Sequence, residues 1–69
     1  PSMSIHEAAE KENIEAVKQH IAVGTDVNAK DDGGGTPLDL AIGRKHPELA
    51  ALLRKHGGKT GEELKAEGK

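Results

Sequence analysis

The chain has 69 residues, ten Lys and Arg against twelve Asp and Glu, a formal net charge of -2, no Cys and no Phe, Tyr or Trp. A chain this short is one domain or part of one and buries only about 60% of the surface its unfolded form exposes, so stability is marginal, with no disulfide or aromatic ring to reinforce a core of Ala, Leu, Ile and Val. The charge balance lacks the basic excess of nucleic-acid binders, no apolar run nears the roughly 20 residues that span a bilayer, and Pro1-Ser2-Met3-Ser4-Ile5 lacks the regions of a signal peptide. A cytoplasmic protein that binds neither nucleic acid nor membrane is expected, with Met3 as its natural start behind an added Pro1-Ser2.

Ser4-Ile5-His6-Glu7 has capping-box spacing, with Ser4 bonding the Glu7 N–H and Glu7 reaching back, and it opens a helix of about two turns that gathers Ile5, Ala8 and Ala9 on one face. Asn13 ends this helix and caps the next. Ile14, Val17 and Ile21 recur at spacings of three and four over 14–23, which predicts a second amphipathic helix antiparallel to the first, closed by Gly24. Thr25 to Lys30 forms an extended connector anchored by Val27. Gly33-Gly34-Gly35 then reads as a reversing turn. A third helix starts at once, with Thr36 as cap, Pro37 at the first position, Asp39 in the favourable end of the dipole and Leu38, Leu40, Ala41 and Ile42 as its apolar part; Gly43-Arg44-Lys45 halts it. His46-Pro47 opens a fourth helix with Leu49, Leu52 and Leu53 on one face and Gly57-Gly58 at its close. Thr60-Gly61-Glu62-Glu63 repeats the capping-box spacing ahead of Leu64 and a polar, fraying tail at 65–69.

Two halves superpose at a shift of 33 residues, Ile5 on Leu38, Ala8 on Ala41, Lys11 on Arg44, Glu15 on Glu48 and Gly24 on Gly57. A unit of two antiparallel helices and an extended connector cannot bury its apolar face alone, so stacked units make the core of a solenoid. The sequence resembles the ankyrin repeat family, whose unit of about 33 residues carries a Thr-Pro-Leu-His-x-Ala signature. Thr36-Pro37-Leu38-Asp39-Leu40-Ala41 matches it except at the fourth place, Gly24-Thr25-Asp26-Val27-Asn28-Ala29 is similar to the family's connector, and Lys55 to Leu64 is similar to the closing segment of many ankyrin arrays. The resemblance implies an all-α solenoid of stacked antiparallel helix pairs, as a single domain over 1–69 with repeat one at about 4–30, repeat two at about 31–58 and a C-terminal cap at about 59–69. Asp39 stands where the signature has His, which puts in question the side-chain bonds that His makes to neighbouring connectors. His6 takes that place in the first half, and His20 falls at the inward position of Leu53, where a buried neutral imidazole requires a hydrogen-bond partner.

No constellation of catalytic residues emerges. His6, His20, His46 and His56 have no paired i, i+4 spacing and no Cys partner, so neither a metal nor a cofactor is expected. Asp31-Asp32 and Glu62-Glu63 are explained by solvation and the helix dipole, and Gly33-Gly34-Gly35-Thr36 lacks the Gly-Lys-Ser/Thr ending and buried strand of a phosphate loop. The expectation is a non-catalytic protein-protein interaction module, a small adaptor or the end of a longer array; the alternative is a regulatory or assembly segment of a larger enzyme whose chemistry lies elsewhere. The resemblance implies that targets lie across the turn tips and the concave face of the first helices, here Lys30, Asp32, Gly33, Gly35, Gly43 and Arg44, with Glu10 and Lys11 in the first half. The partner is an unknown protein. The first helix pair has no preceding repeat over Ile5, Ala8, Ala9, Ile14, Val17 and Ile21, which predicts a weak homodimer through that pair.

Overall fold

The computed structural model describes residues 3–68. Pro1 and Ser2, and with them the expectation about the added leader, lie outside those residues, as does Lys69 at the end of the tail. The chain forms α1 (Ile5–Glu10), α2 (Ile14–Ala22), α3 (Pro37–Gly43), α4 (Pro47–Lys55) and α5 (Gly61–Gly68), with no strand among the described residues. Helix α1 packs against α2, α3 against α4, and α1 along α3, which makes two stacked hairpins. Their second helices keep the 33-residue offset, Ile14 against Pro47.

Local chemistry sets each boundary. Ser4 Oγ accepts from Glu7 N at 3.0 Å, Asn13 Oδ1 from Ala16 N at 3.1 Å and Thr36 Oγ1 from Asp39 N at 3.2 Å. Asp39 Oδ2 accepts in return from Thr36 N at 3.0 Å, so the box at α3 is closed in both directions. The box at Ser4 is half made: the Glu7 carboxylate turns to Lys11, 3.9 Å away, instead of to the cap N–H. Gly24 and Gly57 carry φ of +83° and +88° just past α2 and α4. Gly43, expected to halt α3, is its last helical residue, and the left-handed residue that ends the hairpin turn is Lys45, with φ of +56°. Glu12, 33 residues earlier, has φ of +57°. Both side chains are exposed and tolerate the turn at a steric cost.

The core is small and aliphatic. Ala8, Ala9, Val17, Leu38, Ala41, Leu49 and Leu53 lose all solvent contact and Ala16 nearly all, with Ile14, Ile21, Leu40 and Leu52 half-buried against them. His20 is 8% exposed and satisfied at both ring nitrogens: Nε2 donates to the Met3 carbonyl oxygen at 2.6 Å and Nδ1 pairs with Thr25 Oγ1 at 2.9 Å. The imidazole thus ties the start of the chain to the first connector.

The outer face of the first helix pair is less apolar than the sequence implies. The apolar residues of the first helix pair do not form an open end, because Ile5, Ala8, Ala9 and Val17 are at most 3% exposed within the chain itself. The positions 33 residues before half-buried Leu40 and Leu52 carry Glu7 and Gln19, both exposed. The first pair turns these polar groups outward, and of the six apolar residues expected to drive a homodimer there only Ile14 and Ile21 stay half-buried. The large exposed aliphatic side chains are Val23 at 65% and Ile42 at 50%.

Substituting Gly for Lys45 relieves the left-handed strain of a residue with a Cβ, worth about 1 kcal/mol after glycine's extra unfolded-state entropy. The expected outcome is a rise of about 4–8 °C in the melting midpoint for a domain of this size, read by circular dichroism. A lower midpoint for Lys45→Gly would show that this turn is unstrained.

Candidate functional site

The turn that joins the two hairpins is built by an acid. Asp31 Oδ1 accepts from Gly33 N at 3.0 Å and from Gly35 N at 2.8 Å, Asp31 N donates to the Gly35 carbonyl at 2.8 Å, and Gly34 N to the Asp31 carbonyl at 2.9 Å. Gly34 sits at the tip with φ of +85°, a backbone state that strains any residue with a Cβ. A Cβ on Gly35 would come within 3.4 Å of the Asp31 carboxylate oxygens. The glycine run therefore serves as a closed finger, and its N–H groups at Gly33, Gly34 and Gly35 are all spent inside it.

Across from the finger, the segment after α4 is held by side chains of the first connector and of α3. Asn28 Nδ2 donates to the Gly57 carbonyl at 3.0 Å, and Asn28 Oδ1 accepts from Lys59 N at 2.7 Å. Fully buried Thr36 donates its hydroxyl to the Lys59 carbonyl at 2.6 Å. Asp39 Oδ2 accepts from Gly61 N at 2.9 Å. The position at which the family signature has His therefore does reach the neighbouring connector, with its polarity reversed: His6 Nε2 donates to the Ala29 carbonyl at 2.6 Å, whereas Asp39 accepts from a backbone N–H. Gly61 is needed at that crossing, since a Cβ there would lie 2.8 Å from the Gly34 carbonyl oxygen.

These bonds seat α5 beside the finger. Thr60 and Glu63 cap it reciprocally, Thr60 N to Glu63 Oε1 at 2.9 Å and Glu63 N to Thr60 Oγ1 at 3.1 Å. Arg54 Nη1 donates to Glu63 Oε1 at 2.8 Å, and Lys59 pairs with Glu67. Burial pushes the Asp39 carboxyl up, but the N–H groups of Thr36 and Gly61 outweigh it and the nearby Glu63 charge, leaving the group below the usual carboxylate range. The Arg54 guanidinium, with the Thr60 N–H second, pulls Glu63 down from 4.5 to about 2.

Between finger and α5 lies a groove of about 620 Å³ lined by Lys30, Gly33, Gly34, Gly35, Asp39, Gly61, Glu62 and Lys65. Three of the residues expected from the sequence, Lys30, Gly33 and Gly35, meet there. Asp32 is exposed on the finger but stands outside the groove. Gly43 and Arg44 lie at the other end of α3, seven residues on and about 10 Å away. Glu10 and Lys11 end α1 at the equivalent places. The eight residues thus divide between the finger end and the C-terminal ends of α1 and α3. Gly34, Asp39, Gly61, Glu62 and Lys65 complete the groove and were not marked as contact residues from sequence, although the Thr60–Glu63 spacing that positions α5 was legible there. Among the described residues no cluster of three or more His, Asp or Glu has the geometry to hold a metal, and no helix is long and apolar enough to cross a membrane.

A family profile described as ankyrin repeats (many copies) matches residues 5–54. The chain belongs to the ankyrin-repeat family. It is 45% identical over 51 residues to potassium channel AKT1 of Arabidopsis thaliana, covering 74% of this chain and 6% of that protein. It is 36% identical over 50 residues to the human protein phosphatase 1 regulatory subunit 27, covering 72% of this chain and 32% of that protein. A third match, 37% over 62 residues, is to ankyrin repeat and fibronectin type-III domain-containing protein 1 of Danio rerio, covering 84% of this chain and 4% of that protein. The ankyrin-repeat chain therefore spans a third or less of these relatives.

Both carboxylates at the base of α5 lose protons more readily in the folded than in the unfolded chain, and for Glu63 the folded state binds fewer protons over the window from 4.5 down to about 2. Their contribution is complete above about pH 4.5 and is lost as pH falls through the folded value. A melting midpoint followed by circular dichroism falls across that window, and Glu63→Gln flattens the fall; an unchanged acid limb in that variant would show that the Arg54–Glu63 pair carries none of it. Asp39→Ala, which strands the Thr36 and Gly61 N–H groups, costs about 1–3 kcal/mol in urea unfolding.

Proposed function

We propose that this ankyrin-repeat chain is a non-catalytic protein-interaction module of the cytoplasm, a small adaptor or the end part of a longer array, with repeat one at about 4–30, repeat two at about 31–58 and a closing segment at about 59–69. The observation that carries the reading is the groove beside the finger: an exposed, charged cleft whose backbone donors are internally spent, so that it offers shape and side-chain charge and no reactive group. Lys30 and Lys65 stand free of ion pairs among the described residues and face Asp39 and Glu62, which suits a partner segment carrying both signs. Charges at such a rim act mainly on partner choice and association rate. Asp32, Gly33 and Gly35 flank the same contact, while Glu10, Lys11, Gly43 and Arg44 extend it along the ends of α1 and α3. A weak homodimer through the first helix pair would have to form over half-buried Ile14 and Ile21, with Glu7 and Gln19 exposed beside them.

A second reading, a regulatory or assembly segment of a larger enzyme, is favoured by the resemblance to a protein named as a regulatory subunit of protein phosphatase 1. Under either reading the surface acts by binding.

The test is affinity capture by the whole chain with quantitative mass spectrometry, beside Lys30→Glu/Lys65→Glu. The expected result is a partner retained by the parent chain and reduced by about tenfold or more in the double variant at an unchanged melting midpoint. Equal capture by both chains would remove the groove from the account, and turnover of a substrate by the purified chain would overturn the non-catalytic reading.

A further inference from the structure

A second groove, of about 300 Å³, opens at the opposite end of α3, lined by Ala41, Ile42, Lys45, His46, Pro47 and Ala50. Its meaning comes from the repeat. The residues 33 places earlier are Ala8, Ala9, Glu12, Asn13, Ile14 and Val17, and α3 of the second hairpin lies along α1 there. Ala9 and Val17 are fully buried and Ile14 half-buried, whereas their counterparts Ile42, Ala50 and Pro47 are exposed, half-buried and exposed. The face of α1 along which α3 packs, buried at Ala8 and Ala9, is thus repeated on α3 at Ala41 and exposed Ile42. Helix α5 does not cover it, because the bonds from Asp39 and Arg54 hold α5 at the finger end of α3 and the C-terminal end of α4.

We infer that this end face is a docking site for an acidic amphipathic helix of a partner protein, which stacks on α3 as α3 stacks on α1. The helical form follows from continuity with that internal interface. The acidic character follows from the rim. Arg44 and Lys45 are exposed and unpaired among the described residues, and the nine-residue helix α4 starts there without a side-chain cap, so its first N–H groups favour negative charge. His46 Nε2 is buried in the same corner with no hydrogen-bond partner. Glu48 is the acid on the first turn of α4, one against the two cations and the helix end. A second copy of this chain fits less well: the hairpin it would stack in array order is α1 with α2, and the outward Gln19 of α2 would be buried there without a partner. This inference is independent of the finger groove.

The experiment uses the full chain labelled with 15N and a stapled helical peptide of about 14 residues with leucines at i, i+3, i+4 and i+7, flanked by glutamates, beside a lysine-flanked twin. Amide shifts centred on Ala41, Ile42, His46 and Ala50 are expected with the glutamate peptide. Ile42→Glu, at a half-exposed position, weakens binding by about tenfold or more, with Ile42→Ser read in the same way if the first variant is unfolded by circular dichroism. Arg44→Glu/Lys45→Glu reverses the preference between the peptides. Absence of binding, shifts centred on Lys30–Gly35 and Gly61–Lys65, equal binding by Ile42→Glu, or concentration-dependent shifts of the same residues without peptide would each overturn the inference.

Discussion

The structure depends on how its connectors, which form no strand, satisfy their backbone. Segments outside helices carry N–H and C=O groups that cannot be buried unpaired. Here a few short polar side chains answer them: Asp31 within the finger, Asn28 and Thr36 on the two sides of Lys59, and Asp39 on Gly61. The Lys59 N–H goes to Asn28 and its C=O to Thr36, so one residue of the closing segment is clamped by the connector of the first hairpin and the cap of the second. This polar clamp sets the register in which the aliphatic core can form.

That division of labour follows from composition. Without aromatic residues, the shared core rests on alanines that let helices approach closely and on Leu38, Leu49, Leu53 and Val17, all fully buried. Such a core rewards contact without selecting one arrangement strongly. Directional bonds supply the selection, and they cost little because Ser, Thr, Asn and Asp are also the residues that start helices and turns. Thr36 shows the economy: its oxygen caps α3 through the Asp39 N–H while its hydrogen reaches the Lys59 carbonyl.

Much of this was legible in the sequence. Helix starts at Ser4, Asn13, Thr36 and Thr60 follow from cap chemistry and the one at Pro47 from proline's fit to the first helical position, and the all-α stack follows from the 33-residue shift with Thr36-Pro37-Leu38. Partners distant in sequence were not legible, because nothing local to Asp39 points to Gly61 or local to Asn28 to Lys59. The role of Asp31 was obscured by the glycines beside it, which advertise the turn more loudly than the acid that closes it. The polar character of the first pair's outer face was hidden for another reason. Matching Ile5 with Leu38 tracks the apolar positions, whereas the decisive comparison is between Glu7 and Leu40 and between Ala9 and Ile42, where the halves differ. The finger groove was half visible for the same cause, with Lys30, Gly33 and Gly35 marked and Glu62 and Lys65 missed across the fold.

The most direct test of the polar clamp is a double-mutant cycle in urea between Asn28→Ala and Thr36→Val. The two side chains do not bond each other but hold the same residue, Lys59, so loss of one should loosen what the other grips. A coupling energy above about 0.5 kcal/mol is expected, the range found for residues in one hydrogen-bond network. Additivity within about 0.3 kcal/mol would contradict the account and leave the register to the aliphatic core alone.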